Sequence, residues 1–224
     1  MINKIGLGYN FNFSNINTVE KNNKNGSYTY DILKFGKFEQ DGDIMNGPED
    51  LEWMILYQNN DKLLLLSRYI LDAVPFCVGD TVDWEHSDLR NYATLNFFPN
   101  AFGEYEKQRL ISVASSNVNN NPVIDYVNVL NMIEIETFFG KEKARDKVLA
   151  TKGTPYAIGN GLFVRKDNDN WYDGYSSYWL RDMIVSSRYK YYPNVEYNGY
   201  VNRTGYVSNT LNIGFRPAIW IKYN

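Results

Sequence analysis

The chain has 224 residues, a length that suits one well-buried domain. Its 23 Lys+Arg and 26 Asp+Glu nearly cancel, giving a net charge of −3 and arguing against a basic nucleic-acid footprint. The single cysteine, Cys77, excludes an internal disulfide framework, and the single histidine, His86, excludes any site that needs two imidazoles. What stands out is 29 Asn and 19 Tyr, about a fifth of the chain. Aromatic content this high argues against disorder, and so much Asn points to many turns.

Residues 1–27 read as an Asn-rich N-terminal arm, and residues 28–224 as the folded domain. The alternation Tyr28, Tyr30, Ile32, then Phe35 and Phe38, predicts a strand with an irregularity at Gly36. Leu51–Tyr57 and Lys62–Tyr69, separated by Gln58-Asn59-Asn60-Asp61, predict a β-hairpin. Ser87–Phe98 has helical spacing, with Ser87 as N-cap and Pro99 ending the run. Glu104–Leu110 predicts a second short helix passing into a strand near Ile111–Ala114, and Asn117–Pro122 a polar loop. Val127–Leu130 reads as a buried strand, Ile133–Phe139 as a helix closed by Gly140, and Lys141–Lys147 as a solvated helical face. Helical periodicity then disappears, and Gly214–Ile221 closes the pattern as one apolar strand. The expectation is a single α+β domain with an irregular, loop-rich C-terminal half.

No segment reaches the roughly 18–20 apolar residues of a membrane-spanning helix; apolar runs such as Leu63–Leu66 and Ala218–Ile221 are far shorter, so no membrane insertion is expected. Met1–Gly6 shows no charged region leading into an apolar stretch, hence no visible secretory signal. The chain is expected to stay where it is made, with surface or virion association left open.

Catalytic patterns are sparse. His86, in Asp83-Trp84-Glu85-His86-Ser87, reads as a surface or capping residue, and Cys77, between Phe76 and Val78, as a small core residue. No nucleophile elbow or phosphate loop is present. The acidic stretch Asp167–Gly174 has the oxygen density of a calcium loop, but Trp171 and Leu180 occupy positions where an EF-hand needs ligands, so an Asx-rich turn is expected. The carboxylate pairs Asp83 with Glu85 and Asp50 with Glu52 read as surface acids. No catalytic residue, metal or cofactor is assigned.

Several pieces nonetheless fall in one order: Phe35-Gly36-Lys37-Phe38-Glu39-Gln40, Glu52-Trp53-Met54-Ile55-Leu56, Trp84 with Ser87 and Leu89-Arg90, Tyr178-Trp179-Leu180-Arg181, and Gly214-Phe215-Arg216-Pro217-Ala218. This series resembles a bacterial family of uncharacterised domains whose members carry F-G-x-Y-x-Q, E-W-x-V-L, W-x-x-S-x-L-R, W-L-R-S and G-V-R-P-A. That family is similar to the C-type-lectin-like fold, to formylglycine-generating enzymes and to the variable proteins of diversity-generating retroelements. The resemblance implies a single C-type-lectin-like domain with a ligand surface between the W-L-R and G-F-R-P-A segments. Oxidase chemistry of the formylglycine type needs paired cysteines, and sugar binding through calcium needs a Glu-Pro-Asn motif; this chain has neither. Asp182-Met183 also stands where the family has Ser-Pro. Read from the residues themselves, Trp53, Trp84, Trp179 and Trp220 are core anchors, and Arg90, Arg181 and Arg216 are buried scaffold groups bonding carbonyls or an acid.

Nine of the 19 tyrosines lie between Tyr172 and Tyr206. The candidate ligand-binding residues are Tyr172, Asp173, Tyr175, Tyr189, Tyr191, Tyr192, Asn194, Tyr197, Asn198, Tyr200, Asn202 and Tyr206. Tyr brings contact area at low entropic cost, and Asn, Ser and Gly adapt their hydrogen bonding. The same tyrosines also suit strands with half-buried faces. The expectation is a non-enzymatic module that binds a protein or glycan ligand, with a retroelement-diversified segment as its sharper form. The alternatives are an enzyme using Asp173, Arg188 or His86 on that face, and a structural component of a phage or cell-surface complex.

Overall fold

Two unbroken apolar runs decide the architecture. In the computed structural model, Leu63–Leu66 and Ala218–Ile221 pair with each other as neighbouring antiparallel strands. Alternate residues enter two separate cores: Leu63, Leu65, Ile219 and Ile221 one, Leu64, Leu66 and Ala218 the other. An unbroken apolar run is what a strand covered on both faces requires. The structure describes residues 30–223 except 60, 80–82, 119–120, 141–145, 167–171 and 187–188. The arm at 1–27 and most of the charged stretch 141–147 therefore lie outside the described residues.

In chain order, β1 (Ile32–Phe38), β2 (Glu49–Asn59) and β3 (Lys62–Ser67) form an antiparallel meander, followed by the short β4 (Asp72–Ala73). A helical run then passes through a 3₁₀ turn (Trp84–His86), α1 (Asp88–Tyr92), a π turn (Ala93–Phe97) and α2 (Phe98–Ala101), with α3 (Glu104–Arg109) after it. Strands β5 (Leu110–Ile111), β6 (Val113–Val118), β7 (Asn121–Asp125) and β8 (Val127–Asn128) lead to α4 (Met132–Phe139) and α5 (Asp146–Leu149). Next come β9 (Thr151–Lys152), α6 (Pro155–Gly159), β10 (Tyr175–Ser176), β11 (Tyr178–Trp179) and β12 (Ile184–Ser186). The chain finishes with β13 (Tyr189–Val195), β14 (Val201–Tyr206), β15 (Gly214–Phe215) and β16 (Ala218–Lys222). The protein is thus mixed α/β, mostly strands with few helices.

The first sheet runs β1-β2-β3-β16-β5, with β8 also on β16; the second runs β12-β13-β11-β15-β4, with β14 also on β13. The helical run 84–101 supplies Trp84, Leu89, Ala93 and Phe97 to one core, while α4, α5 and α6 supply Ile135, Phe139, Leu149 and Ala157 to the other. The predicted single closing strand is therefore two. β15 belongs to the second sheet and β16 to the first, and Arg216-Pro217 make the passage between them.

Three other expectations are corrected. The helical run does not stop at Pro99, which lies in the first turn of α2. The π turn before it redirects the ladder, so that the Phe98 N–H donates to the Ala93 carbonyl, and proline at a helix start has no N–H to forfeit. The polar stretch 117–122 is largely a hairpin, with Asn117 opposite Pro122 and Val118 opposite Asn121. The C-terminal half is not a loop field, because β10–β14 carry most of the described residues between 175 and 206.

The irregularity at Gly36 is present as a register shift between Lys34 and Lys37. Gly36 has φ +77°, donates its N–H to Glu106 Oε1 at 2.9 Å, and an added Cβ would lie 2.6 Å from the Ala101 carbonyl oxygen. Gly36→Ala is expected to lower stability by more than about 1 kcal/mol, since strain and clash act together. The urea midpoint of the variant checks this.

Candidate functional site

The motif residues form a buried polar framework that ties several elements together. Trp84 donates its indole N–H to Asp125 Oδ2 at 2.9 Å, and Arg90 donates Nε–H to Asp125 Oδ1 at 2.8 Å. The Ser115 hydroxyl closes on the same carboxylate, whose side chain is 1% exposed. Ser87 caps α1 by accepting the Arg90 N–H. Arg181 donates to the Ser115 and Val129 carbonyls and makes a two-pronged pair with Glu134, at 2.5 and 2.7 Å. Asp182 then accepts the Met132 N–H at the start of α4, and burial holds its carboxyl above the ordinary range. Arg216 donates to the Ser67 and Leu149 carbonyls and to the Tyr178 hydroxyl, with its guanidinium 4.9 Å above the Tyr178 ring. Trp53, Trp84 and Trp179 are buried, while Trp220 is half-buried with Tyr57 edge-on.

The tyrosine-rich segment separates into a core part and a surface part. Tyr192 and Asn194 have no exposed surface. Tyr192 packs 4.3 Å from Phe76, on a strand bonded along both edges, and the Asn194 amide finds no hydrogen-bond partner among the described residues. Neither residue presents a group to solvent, so neither belongs to an open ligand face. Tyr206 is half-buried against Trp179, and its hydroxyl donates to Glu196 Oε2 at 3.1 Å. Burial, then the Glu196 charge, pushes that phenol up to about 12. Glu196 also accepts from the Ser177 hydroxyl and the Asn202 amide, which locks the β13–β14 turn. Tyr191 is half-buried at the β12 edge. Tyr189 is placed by its backbone opposite Ser186, and Arg188 lies outside the described residues.

A second tyrosine group converges at the other end. The Tyr172 ring stands edge-to-face with Tyr175 at 5.8 Å and with Tyr197 at 5.9 Å. Lys152 Nζ sits 5.6 Å from the Tyr175 centroid, and the Arg165 guanidinium 5.2 Å from that of Tyr197. The Arg165 and Tyr175 backbones pair across the base of the acidic loop at 2.8 Å, so the loop's closure brings these rings together. Asp173 is exposed beside that base, whereas 167–171 lie outside the described residues. Tyr200 is 57% exposed on the neighbouring turn, where its N–H donates to the half-buried Asn198. Sequence reading missed Lys152, Arg165 and Glu196. Only Glu196, an acid next to Tyr197 inside the aromatic segment, left a signal.

The remaining candidates have ordinary surroundings. His86 is exposed, and a hydrogen bond to Asp83, with that carboxylate's charge, raises its pKa. Cys77 is buried, which pushes its thiol up and away from nucleophilic use. Asp50 pairs with Lys34 and Lys37, and Glu52 with Arg68, as exposed ion pairs. Asp83, Glu85 and His86, and separately Glu39, Asp41 and Glu49, place ligand atoms within 4.8 Å of one another. Asp83 already accepts from His86 Nδ1, and Glu39, Asp41 and Glu49 from backbone N–H groups.

The chain belongs to the family described as a domain of unknown function (DUF6273), which matches residues 60–223. No curated protein and no solved structure matches it. The family match opens between β2 and β3 and takes in the helical run, both later arginine motifs and β16. β1 and β2 precede it, yet the buried Trp53 of β2 donates its indole N–H to the Phe35 carbonyl at 2.7 Å and stacks on Phe102. These two strands therefore fold as part of the same unit as the family domain.

Proposed function

We propose that the protein is a non-enzymatic ligand-binding module on a variant of the C-type-lectin-like scaffold. Its contact surface is Tyr172, Tyr175, Tyr197 and Tyr200 with Asn198, flanked by Lys152 and Arg165, and its ligand is a protein or glycan. The single observation that carries the reading is the three-ring tyrosine cluster. Its rings are fixed edge-to-face at 5.8–5.9 Å and keep part of their area in solvent. Rings held this way lose little freedom on contact and offer both π-faces and hydroxyls. Support for the scaffold comes from the returning terminal strand at the centre of the first sheet and from the second, short-stranded sheet beside it. A retroelement-diversified history fits the exposed positions, such as Tyr200, and not Tyr192 or Asn194.

The test is a fluorescently labelled chain applied to a printed glycan array and to arrayed bacterial surface proteins. Tyr175→Ala with Tyr197→Ala is expected to weaken any hit about tenfold or more while the melting temperature moves only a few degrees. A variant that binds like the parent sinks this assignment of the surface. One that loses its fold assigns the cluster a structural role instead.

A further inference from the structure

The second sheet buries one polar side chain that its own hydrogen bonds do not satisfy. Asn194, near the end of β13, has no exposed surface, and neither its Nδ2 nor its Oδ1 has a partner among the described residues. A primary amide carries two donor N–H groups and an acceptor oxygen out of water. Left unpaired, they cost more than an apolar side chain of the same shape would. Buried polar groups are as a rule paired, either with protein or with held solvent.

The side chains around Asn194 are already committed. It stands opposite Trp179 on β11 and opposite Asn202 on β14, with Tyr192 and Glu196 two residues to either side, the spacing of one strand face. The Trp179 indole N–H goes to the Val74 carbonyl at 2.8 Å. Asn202 Nδ2 goes to Glu196 Oε1, and its Oδ1 accepts from the Thr204 N–H and hydroxyl and from the Gly205 N–H. Glu196 takes the Ser177 and Tyr206 hydroxyls. Sliding β14 to offer another group is blocked. Residues 203–205 bulge opposite Pro193, and Gly205 has φ +58° with an added Cβ 2.0 Å from the Tyr192 carbonyl oxygen. The Tyr206 backbone faces Tyr192 while its hydroxyl reaches Glu196, so its half-buried ring runs past Asn194.

We propose that Asn194 anchors a buried hydroxyl-binding site, in which a neutral O–H group, that of water or of a small polyol, hydrogen-bonds the amide beside the Tyr206 ring. The chemical class follows from the two unmet ends of the amide. A cation would meet only the oxygen and an anion only the N–H groups, and either charge would leave water without a counter-charge on Asn194 to repay it. An O–H group both donates and accepts at one small centre. Strands bond β13 along both edges and Asn194 has no exposed surface, so the guest exchanges through local opening of the β13–β14 unit. The site lies at the root of the turn that carries Tyr197 and Tyr200, on the buried side of that turn.

Nuclear magnetic resonance of the full chain, isotope-labelled at its asparagine amides, tests this. The Asn194 side-chain N–H protons are expected to show cross-peaks to water of opposite sign in NOESY and ROESY spectra, the mark of a held molecule. Tyr206→Phe removes a neighbouring exchangeable hydroxyl and should leave those cross-peaks in place. Added glycerol separates the two sources. Cross-peaks that stay on the water line assign water, and cross-peaks that move to the glycerol C–H protons assign a polyol. Solvent oxygen relaxation dispersion gives a second reading for water, expected to fall by about one long-lived molecule from the parent to a folded Asn194→Leu chain. Asn194 protons with no cross-peak to either molecule overturn the proposal. So do water cross-peaks that vanish in Tyr206→Phe, or that accompany a dispersion unchanged by Asn194→Leu, because exchange through a hydroxyl then explains them. None of these readouts uses Tyr172, Tyr175 or Tyr197, so they stand or fall apart from the ligand-binding reading.

Discussion

Asp125→Ala is expected to cost about 3–5 kcal/mol, enough to leave much of the chain unfolded at room temperature. The carboxylate accepts from the Trp84 indole, the Arg90 guanidinium and the Ser115 hydroxyl, and its side chain is 1% exposed. Removing it strands a half-buried cation and two buried donors at once, each of which loses its compensation for leaving water. Asp125→Asn keeps an acceptor oxygen for one donor and gives up the charge, so a loss of about half that size is expected. Glu52→Ala is the reference, because it breaks the exposed pair with Arg68 and should cost under about 1 kcal/mol. Urea unfolding followed by tryptophan fluorescence ranks the three. If Asp125→Ala falls no lower than Glu52→Ala, the motif arginine and tryptophan are not held by this carboxylate.

Tyr192→Ala is expected to cost about 3–5 kcal/mol, the usual loss for truncating a large buried aromatic. Its ring lies 4.3 Å from Phe76 in the core that also holds Trp179 and Phe215, and it has no exposed surface. Tyr200→Ala, at 57% exposure, should change stability by no more than about 0.5 kcal/mol. Calorimetric melting of both variants tests the division of the segment. Equal melting temperatures would mean that Tyr192 is not a core residue. The contrast also governs any binding experiment, because loss of binding in a Tyr192 variant reports on folding, whereas loss in a Tyr200 variant reports on contact.

What could be read in advance depended on whether a local rule or a distant partner decides the outcome. The β2–β3 hairpin was legible because alternation, polar turn and length all reside within some twenty residues. Ser87 as a cap and Gly140 as a helix stop were legible for the same reason. Pro99 misled, because the proline rule assumes an α ladder and a π turn had already displaced it. Arg90, Arg181 and Arg216 announced burial by their apolar flanks, but not that Asp125, Glu134 and two carbonyls would receive them. Those partners are set by topology. The tyrosines are the clearest case. Composition marks the segment, but whether a ring faces a core or water depends on pairing with β11, β12 and β14, which 172–206 alone does not encode.

The passage at Arg216-Pro217 has a consequence for the order in which the protein can be made. β16 lies between β3 on one edge and β5 and β8 on the other, so the first sheet has a gap at its middle until residues 218–222 leave the ribosome. Arg216 reaches Ser67 across 149 positions of chain. Contacts of that span are slow to form, and until they do the apolar faces of β3 stay open to water and to other chains. The newborn chain therefore depends on protection until β16 has been made. A ribosome stalled a few residues short of Ala218 would hold a product with neither core closed.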